Sequence, residues 1–302
     1  MERVSMSRDL QGYGGVWPDI RWPGGHRCAV SVVLNYEEGA EMQVGDGDAR
    51  SEAMGEVLSV VPDGRADPGQ EQIFAYGPRA GLWRMAKALR DHAIPATIFA
   101  CGRAAERAPF GLAQLARDGH EVASHGWLWR PHADYDSPEA EEAALIRTED
   151  AILAATGQRP VGFFCRGAES PWTRDLLARR GYLYASNGFD DDLPYRDAVD
   201  PDLVVVPYAL DSNDMKFFHP NGFVRASEMV DYVRDALDVL MEEGRAGQPR
   251  LLNIGFHLRI CGRPGRFPAF TGVLAELARR RDELFIGTRA QIARSFADQV
   301  PT

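Results

Sequence analysis

Along the chain, short apolar runs rich in β-branched residues alternate with stretches of helical periodicity. Runs of the first kind lie at 28–34 (CAVSVVL), 96–100 (ATIFA), 121–124, 161–165, 203–206 and 251–256, with another strand expected after Tyr182 and a short one at 284–286. Between them, Leu82, Met85, Ala86 and Leu89 recur at the spacing of one helix face. Ser137, then Pro138 and an acidic stretch, mark a helix start, and Gly157 marks its end. Ser227 is expected to open a helix with Met229, Tyr232, Val233, Ala236, Leu237 and Leu240 on one face, stopping at Gly244. Strand–helix alternation over the whole length predicts a parallel sheet. Seven or eight such units fit a closed α/β barrel, with a doubly wound sheet as the other arrangement the pattern allows. One domain over 1–302 is expected, with an N-terminal arm at 1–25. The weakly patterned, Gly-, Asp- and Pro-rich span 40–78 reads as an insertion or lid loop.

Composition narrows the function. The chain has 302 residues, and 45% of them are hydrophobic, enough for the core of a barrel. A net charge of −10 argues against a nucleic-acid partner, which calls for a basic face. No run has membrane length, and the first residues lack the apolar core and cleavage pattern of a signal peptide. Cys28, Cys101, Cys165 and Cys261 are far apart and read as reduced thiols, so a cytoplasmic location is expected.

Polar clusters follow the strands. They are Asn35-Tyr36-Glu37-Glu38-Gly39, Ser124-His125-Gly126, Arg166-Gly167-Ala168-Glu169, Asp190-Asp191-Asp192, Asp211-Ser212-Asn213-Asp214 and His257-Leu258-Arg259. In a parallel barrel the C-terminal strand ends share one mouth, so distant clusters are expected to converge there. Each has a bland alternative. Two adjacent carboxylates are often solvated loop residues, a lone histidine is more often structural, and a lone arginine usually faces solvent. Their shared position favours a site in which one of Glu37 and Glu38 takes a proton from water while the other orients water or substrate. His125 and His257 are the remaining catalytic candidates, and His92, His120 and His219 are read as structural. Cys165 as a nucleophile is disfavoured, because free cysteine is usually a small buried hydrophobe. No serine-nucleophile elbow, phosphate loop or dinucleotide fingerprint occurs.

The ordered set NYEEG, SHGWLW, RPVGFFCRG, FDDDLPY, PYALDSNDM and IGFHLRICGRPGR resembles the polysaccharide deacetylase (NodB-homology) family. It is most similar to the branch of cofactor-independent bacterial allantoinases and cyclic-imide hydrolases. The resemblance implies a distorted, TIM-like (β/α) barrel, hydrolysis of amide-type C–N bonds and a homo-oligomer. Metal-dependent members carry an Asp-Asp pair and a His-x-x-x-His pair. By that resemblance Glu37 aligns with the base, Glu38 with the metal-binding acid, His125 with the first histidine and His257 with the general acid. The second histidine falls at Trp129, whose indole offers a metal no lone pair. Glu38 and His125 alone would make a weak site, since catalytic zinc normally takes three protein ligands; His132 is a distant third candidate.

The reading is therefore ring opening of a cyclic amide or ureide, such as allantoin, hydantoin or an imide, with no metal. Glu37, Glu38, His125 and His257 are its catalytic groups. Tyr36, Trp129, Arg166, Glu169, Asp190, Asn213, Asp214 and Arg259 are its substrate-contacting candidates. The segment 164–173 departs from the allantoinase pattern and leaves the substrate open. A zinc-dependent de-N-acetylase acting on a sugar or small amide, and an inactive barrel that only binds a ligand, are the alternatives.

Overall fold

The computed structural model describes residues 9–302. Among the described residues, nine strands form one sheet: β1 (Cys28–Tyr36), β2 (Thr97–Ala100), β3 (Glu121–Ser124), β4 (Gly162–Phe163), β5 (Tyr184–Ala185), β6 (Tyr195–Arg196), β7 (Val204–Val205), β8 (Arg250–His257) and β9 (Phe285–Ile286). Their spatial order is β6-β7-β5-β4-β3-β2-β1-β8, with β9 also on β1. Every pairing is parallel except β6 with β7. A parallel bridge between Asn213 and Gly255 brings the chain beyond β7 onto β8 and curls the sheet into a distorted barrel.

The central strand sets the layers. All nine residues of β1 are buried, as expected for a parallel strand covered on both faces. Cys28, Val30, Val32, Leu34 and Tyr36 join the core beneath the helices, whereas Ala29 and Val33 join the core inside the barrel. Period-two alternation therefore turns Asn35 and Glu37 inward and Tyr36 outward. At the lower end, Arg289 plugs the barrel: its guanidinium reaches Ser186 Oγ at 3.0 Å, Asn253 Oδ1 at 2.6 Å and the Pro207 carbonyl at 2.7 Å. Burial pulls this group down to about 10.

The helices are α1 (Pro68–Tyr76), α2 (Leu82–His92), α3 (Gly102–Arg107), α4 (Pro109–Arg117), α5 (Pro138–Thr156), α6 (Thr173–Arg179), α7 (Ala226–Arg245), α8 (Phe267–Arg279) and α9 (Arg289–Ala297). Helix α5 follows its sequence signals: Ser137 Oγ accepts from Ala140 N at 3.2 Å, and Gly157 caps the end at φ +74°. Helix α7 begins one residue before Ser227, where the Glu228 carboxylate collects the N–H groups of Val224 (2.6 Å) and Arg225 (2.9 Å). Gly244 lies inside its last turn, pressed against Arg27.

The span 40–78 is not loop throughout, because Asp67 caps α1 through Gly69 N (3.0 Å) and Gln70 N (3.1 Å) with Pro68 at the first turn. The irregular stretch before it is tied down at both sides by Glu52–Arg166 (2.6 Å) and Glu56–Arg263 (2.8 Å). Of the arm expected at 1–25, residues 1–8 lie outside the described residues. Tyr13 Oη donates to the Pro194 carbonyl at 2.6 Å, and buried Trp22 donates from Nε1 to the Arg250 carbonyl at 3.1 Å. Among the described residues, no helix is long and apolar enough to cross a membrane.

Candidate active site

Three strand ends meet at the upper mouth. β1 runs into Glu37, β3 into His125, and β8 ends in His257. Register puts Asn35 directly beside His257, and His125 N donates to the Ala100 carbonyl at the end of β2 (2.9 Å). The side chains surround a cavity of about 190 Å³, walled by Met54, Trp129, Phe164, Tyr208, Leu210 and Met215, with Asn35, Glu37, His125, Asn213 and His257 as its polar lining and Arg166 also on its wall.

Glu37 is the hub. Its Oε1 lies 3.1 Å from His125 Nε2 and 3.4 Å from His257 Nε2, and its Oε2 accepts from Arg259 Nη1 at 2.7 Å. Burial opposes its charge, but the His257 and Arg259 cations and the two imidazole hydrogen bonds hold it well below the usual carboxylate range. His125 Nδ1 sits 2.7 Å from the Phe164 carbonyl and Nε2 faces Glu37 Oε1, two partners that can only accept. Its ring stacks on Phe164 at 5.0 Å and 10°. His257 Nδ1 lies 2.6 Å from Asp214 Oδ1, and Asp214 Oδ2 accepts from His257 N at 2.9 Å. Burial alone would lower His257, but the charges of Glu37 and Asp214 outweigh it and raise it to about 9. At neutral pH the pair is thus an imidazolium beside a carboxylate.

Several expected contacts fall elsewhere. Tyr36 faces the helix layer and donates to the Ala108 carbonyl at 2.6 Å. Glu38 turns away from the cavity into a niche beside Gly77, and its Oε1 accepts from Arg259 N at 2.9 Å. Burial, only partly offset by Arg259, raises its carboxyl. Arg259 is fully buried against both glutamates, an internal counter-ion. Asp214 is buried behind His257 and positions it. Glu169 pairs with Arg174 at 2.9 Å outside the cavity. Asp190 accepts from Tyr195 Oη at 3.0 Å beside the lower end, because after β5 the chain descends to place the Asp192 carbonyl on Leu251 N at 2.8 Å. Asn213, Trp129 and Arg166 do line the cavity, Arg166 while paired to Glu52. Asn35 from the first strand-end cluster, Phe164 from the segment 164–173, and Tyr208 and Met54 also line the cavity, though none was among the expected catalytic or substrate-contacting residues. Asn35 carried a readable signal, a polar residue of the same strand parity as Glu37.

A divalent ion does not fit these residues. Trp129 presents an indole where a ligand is needed, and its ring packs against the guanidinium groups of Arg166 (3.7 Å) and Arg259 (4.7 Å). Arg259 already supplies positive charge to both carboxylates. His132 is no substitute: it is buried behind Gly126, with Nδ1 2.8 Å from Glu141. Among the described residues, no three His, Cys, Asp or Glu side chains are grouped to hold a metal ion.

A barrel with a carboxylate and two imidazoles at its mouth has the form of a hydrolase. Comparison with known proteins places it. Residues 71–185 match the polysaccharide deacetylase family profile. A Schizosaccharomyces pombe (strain 972) protein provisionally named a polysaccharide deacetylase is 32% identical, with 98% of each chain covered. The crystal structure of PuuE allantoinase superposes with TM-score 0.92 at 38% identity, covering 99% of this chain and 100% of the other. A provisionally named polysaccharide deacetylase from Pseudomonas aeruginosa PAO1 gives 0.91 at 39% identity, covering 98% and 99%. The chain belongs to the polysaccharide deacetylase family, a family of deacetylases and amidohydrolases.

Proposed function

We propose that this protein hydrolyses a ring amide, with allantoin the leading substrate and hydantoins and imides the wider class, using acid–base groups and no metal. The observation that carries the reading is the Glu37 carboxylate held between the Nε2 atoms of His125 and His257 at the edge of a small cavity. Glu37 takes a proton from water as the water attacks the ring carbonyl. His125, anchored at Nδ1 by the Phe164 carbonyl, donates from Nε2 to Glu37 and so orients the carboxylate toward the incoming water. His257 delivers its Nε2 proton to the leaving nitrogen while Asp214 steadies the imidazolium. As that proton leaves, the positive charge beside Glu37 disappears and the carboxylate becomes more basic, so the two transfers reinforce each other. A strained or activated ring carbonyl is the kind of electrophile such a site can open with fixed hydrogen-bond donors.

De-N-acetylation of a sugar is the second reading, favoured by the names of two relatives. The 190 Å³ cavity speaks for the smaller substrate, since it falls below the range of about 300–1,000 Å³ typical of drug-sized ligand sites. The test is turnover of allantoin, hydantoin and succinimide before and after exhaustive chelation. Ring opening that survives chelation is the expected result. Activity lost on chelation and restored by zinc, or deacetylation with no ring opening, would overturn it.

A further inference from the structure

The cavity holds a second set of polar groups that the acid–base scheme leaves idle. Asn35 Nδ2 donates to Tyr208 Oη at 3.2 Å, and Asn213 Nδ2 donates to the same oxygen at 3.0 Å. Backbone partners fix both amides this way round: the Phe256 carbonyl accepts from Asn35 Nδ2 at 3.2 Å, and Asn213 Oδ1 accepts from Met215 N at 2.8 Å. A phenol oxygen has two lone pairs and one hydrogen. With both lone pairs engaged, Tyr208 has only its O–H to give, and no acceptor among the described residues takes it. Asn35 Oδ1 is buried as well, with no donor among the described residues.

Both residues line the cavity. Tyr208 is clamped there by face-to-face stacking on Phe164, 4.3 Å apart and 7° from parallel. Gly255 leaves room for the arrangement, because a Cβ at that position would lie 2.5 Å from Tyr208 Oη.

We infer that Tyr208 and Asn35 read the edge of a cis amide, Tyr208 donating to the carbonyl oxygen and Asn35 Oδ1 accepting the adjacent N–H. The inference rests on the ring-amide reading and narrows it. Ring closure forces an amide to be cis, with C=O and N–H side by side. An open-chain secondary amide is trans and points them in opposite directions. A buried donor beside a buried acceptor therefore matches imides, lactams and ureides and mismatches an N-acetyl group. Because the carbonyl oxygen gains negative charge during attack, the Tyr208 hydrogen bond strengthens in the transition state and acts on kcat.

The experiment compares the wild-type chain with Tyr208→Phe, which keeps the stacked ring, on hydantoin and on hydantoin methylated at the ring nitrogen of the scissile amide. Tyr208→Phe is expected to lose about a hundredfold in kcat with KM little changed and the melting temperature within a few degrees, in line with removal of one oxyanion donor. The methylated ring is expected to be a poor wild-type substrate through KM, and this arm needs no variant to fold. Equal kcat in wild type and variant together with ready turnover of the methylated ring would overturn the inference and leave ring hydrolysis standing. Wild-type hydrolysis of N-acetylglucosamine with no opening of hydantoin would overturn both.

Discussion

Replacing Arg259 by methionine tests the electrostatic logic of the site most directly. The variant keeps an apolar stem against Phe74 and Trp129, whose rings lie 4.5 and 4.7 Å from the guanidinium carbon. It removes the cation 2.7 Å from Glu37 and 3.5 Å from Glu38. At an effective dielectric of about 20, one pair of unit charges about 4 Å apart is worth about 4 kcal/mol. Removing one member of a buried pair costs about 3–5 kcal/mol, because the remaining charge is left unpaired. The loss depends on pH. Glu37 is depressed in the folded wild type, so it contributes stability above its ordinary value of 4.5 that is lost as pH falls through the folded value. In the variant the depression weakens and Glu38, already raised, rises further. Each raised carboxyl costs stability as pH climbs past 4.5. Urea unfolding is therefore expected to show a gap of about 3–5 kcal/mol at pH 8 that narrows toward pH 5. A gap below about 1 kcal/mol at pH 8, or one independent of pH, would refute the assignment of Arg259 as the counter-ion of this pair.

Glu37→Gln and His257→Gln are each expected to lower kcat by at least about a hundredfold in a ring-opening assay while leaving the far-ultraviolet spectrum unchanged; near-normal rates in both would remove them from the chemistry. The kcat/KM profile is expected to fall as pH rises through about 9, where His257 loses its proton, and to show no acid limb from Glu37 above its ordinary value of 4.5. Asp214→Asn removes one of the two charges that raise His257, so that basic limb is expected to move to lower pH, read from the same profile.

The sequence made the frame of the site legible where local rules govern. Strand β3 and helix α5 carry period, cap and terminator within a few residues of one another, and both form where those signals place them. Glu37, His125 and His257 could be placed because strand ends in a parallel barrel converge. Directions were harder. β1 is buried throughout, since both its faces are covered, so only the parity that Asn35 shares with Glu37 marks Asn35 as inward and Tyr36 as outward. Asp190 follows a strand as the other clusters do, but the chain there runs down the barrel wall instead of turning at the mouth. Tyr208 had no local signal, because it lies in irregular chain between Val205 and the bridge at Asn213 and acquires its partners from β1 and that bridge.

Trp129 and Arg259 belong to one arrangement around the glutamates. Judged as a metal ligand, tryptophan at this position is only a defect. In the fold its indole is the surface against which Arg259 is held, with Phe74 packed on the same ring at 5.8 Å. A histidine there would offer Arg259 a smaller, itself titratable ring. An aromatic face instead attracts a guanidinium by about 0.5–2 kcal/mol and excludes water from the ion pair. The guanidinium then serves the carboxylates as a fixed charge that keeps Glu37 ionised. It cannot bind and polarise a water as a metal would. In the metal-free mechanism we propose, activation of the carbonyl comes from hydrogen-bond donors in the cavity, and the Tyr208 hydroxyl is the donor that the surrounding amides leave free to supply it.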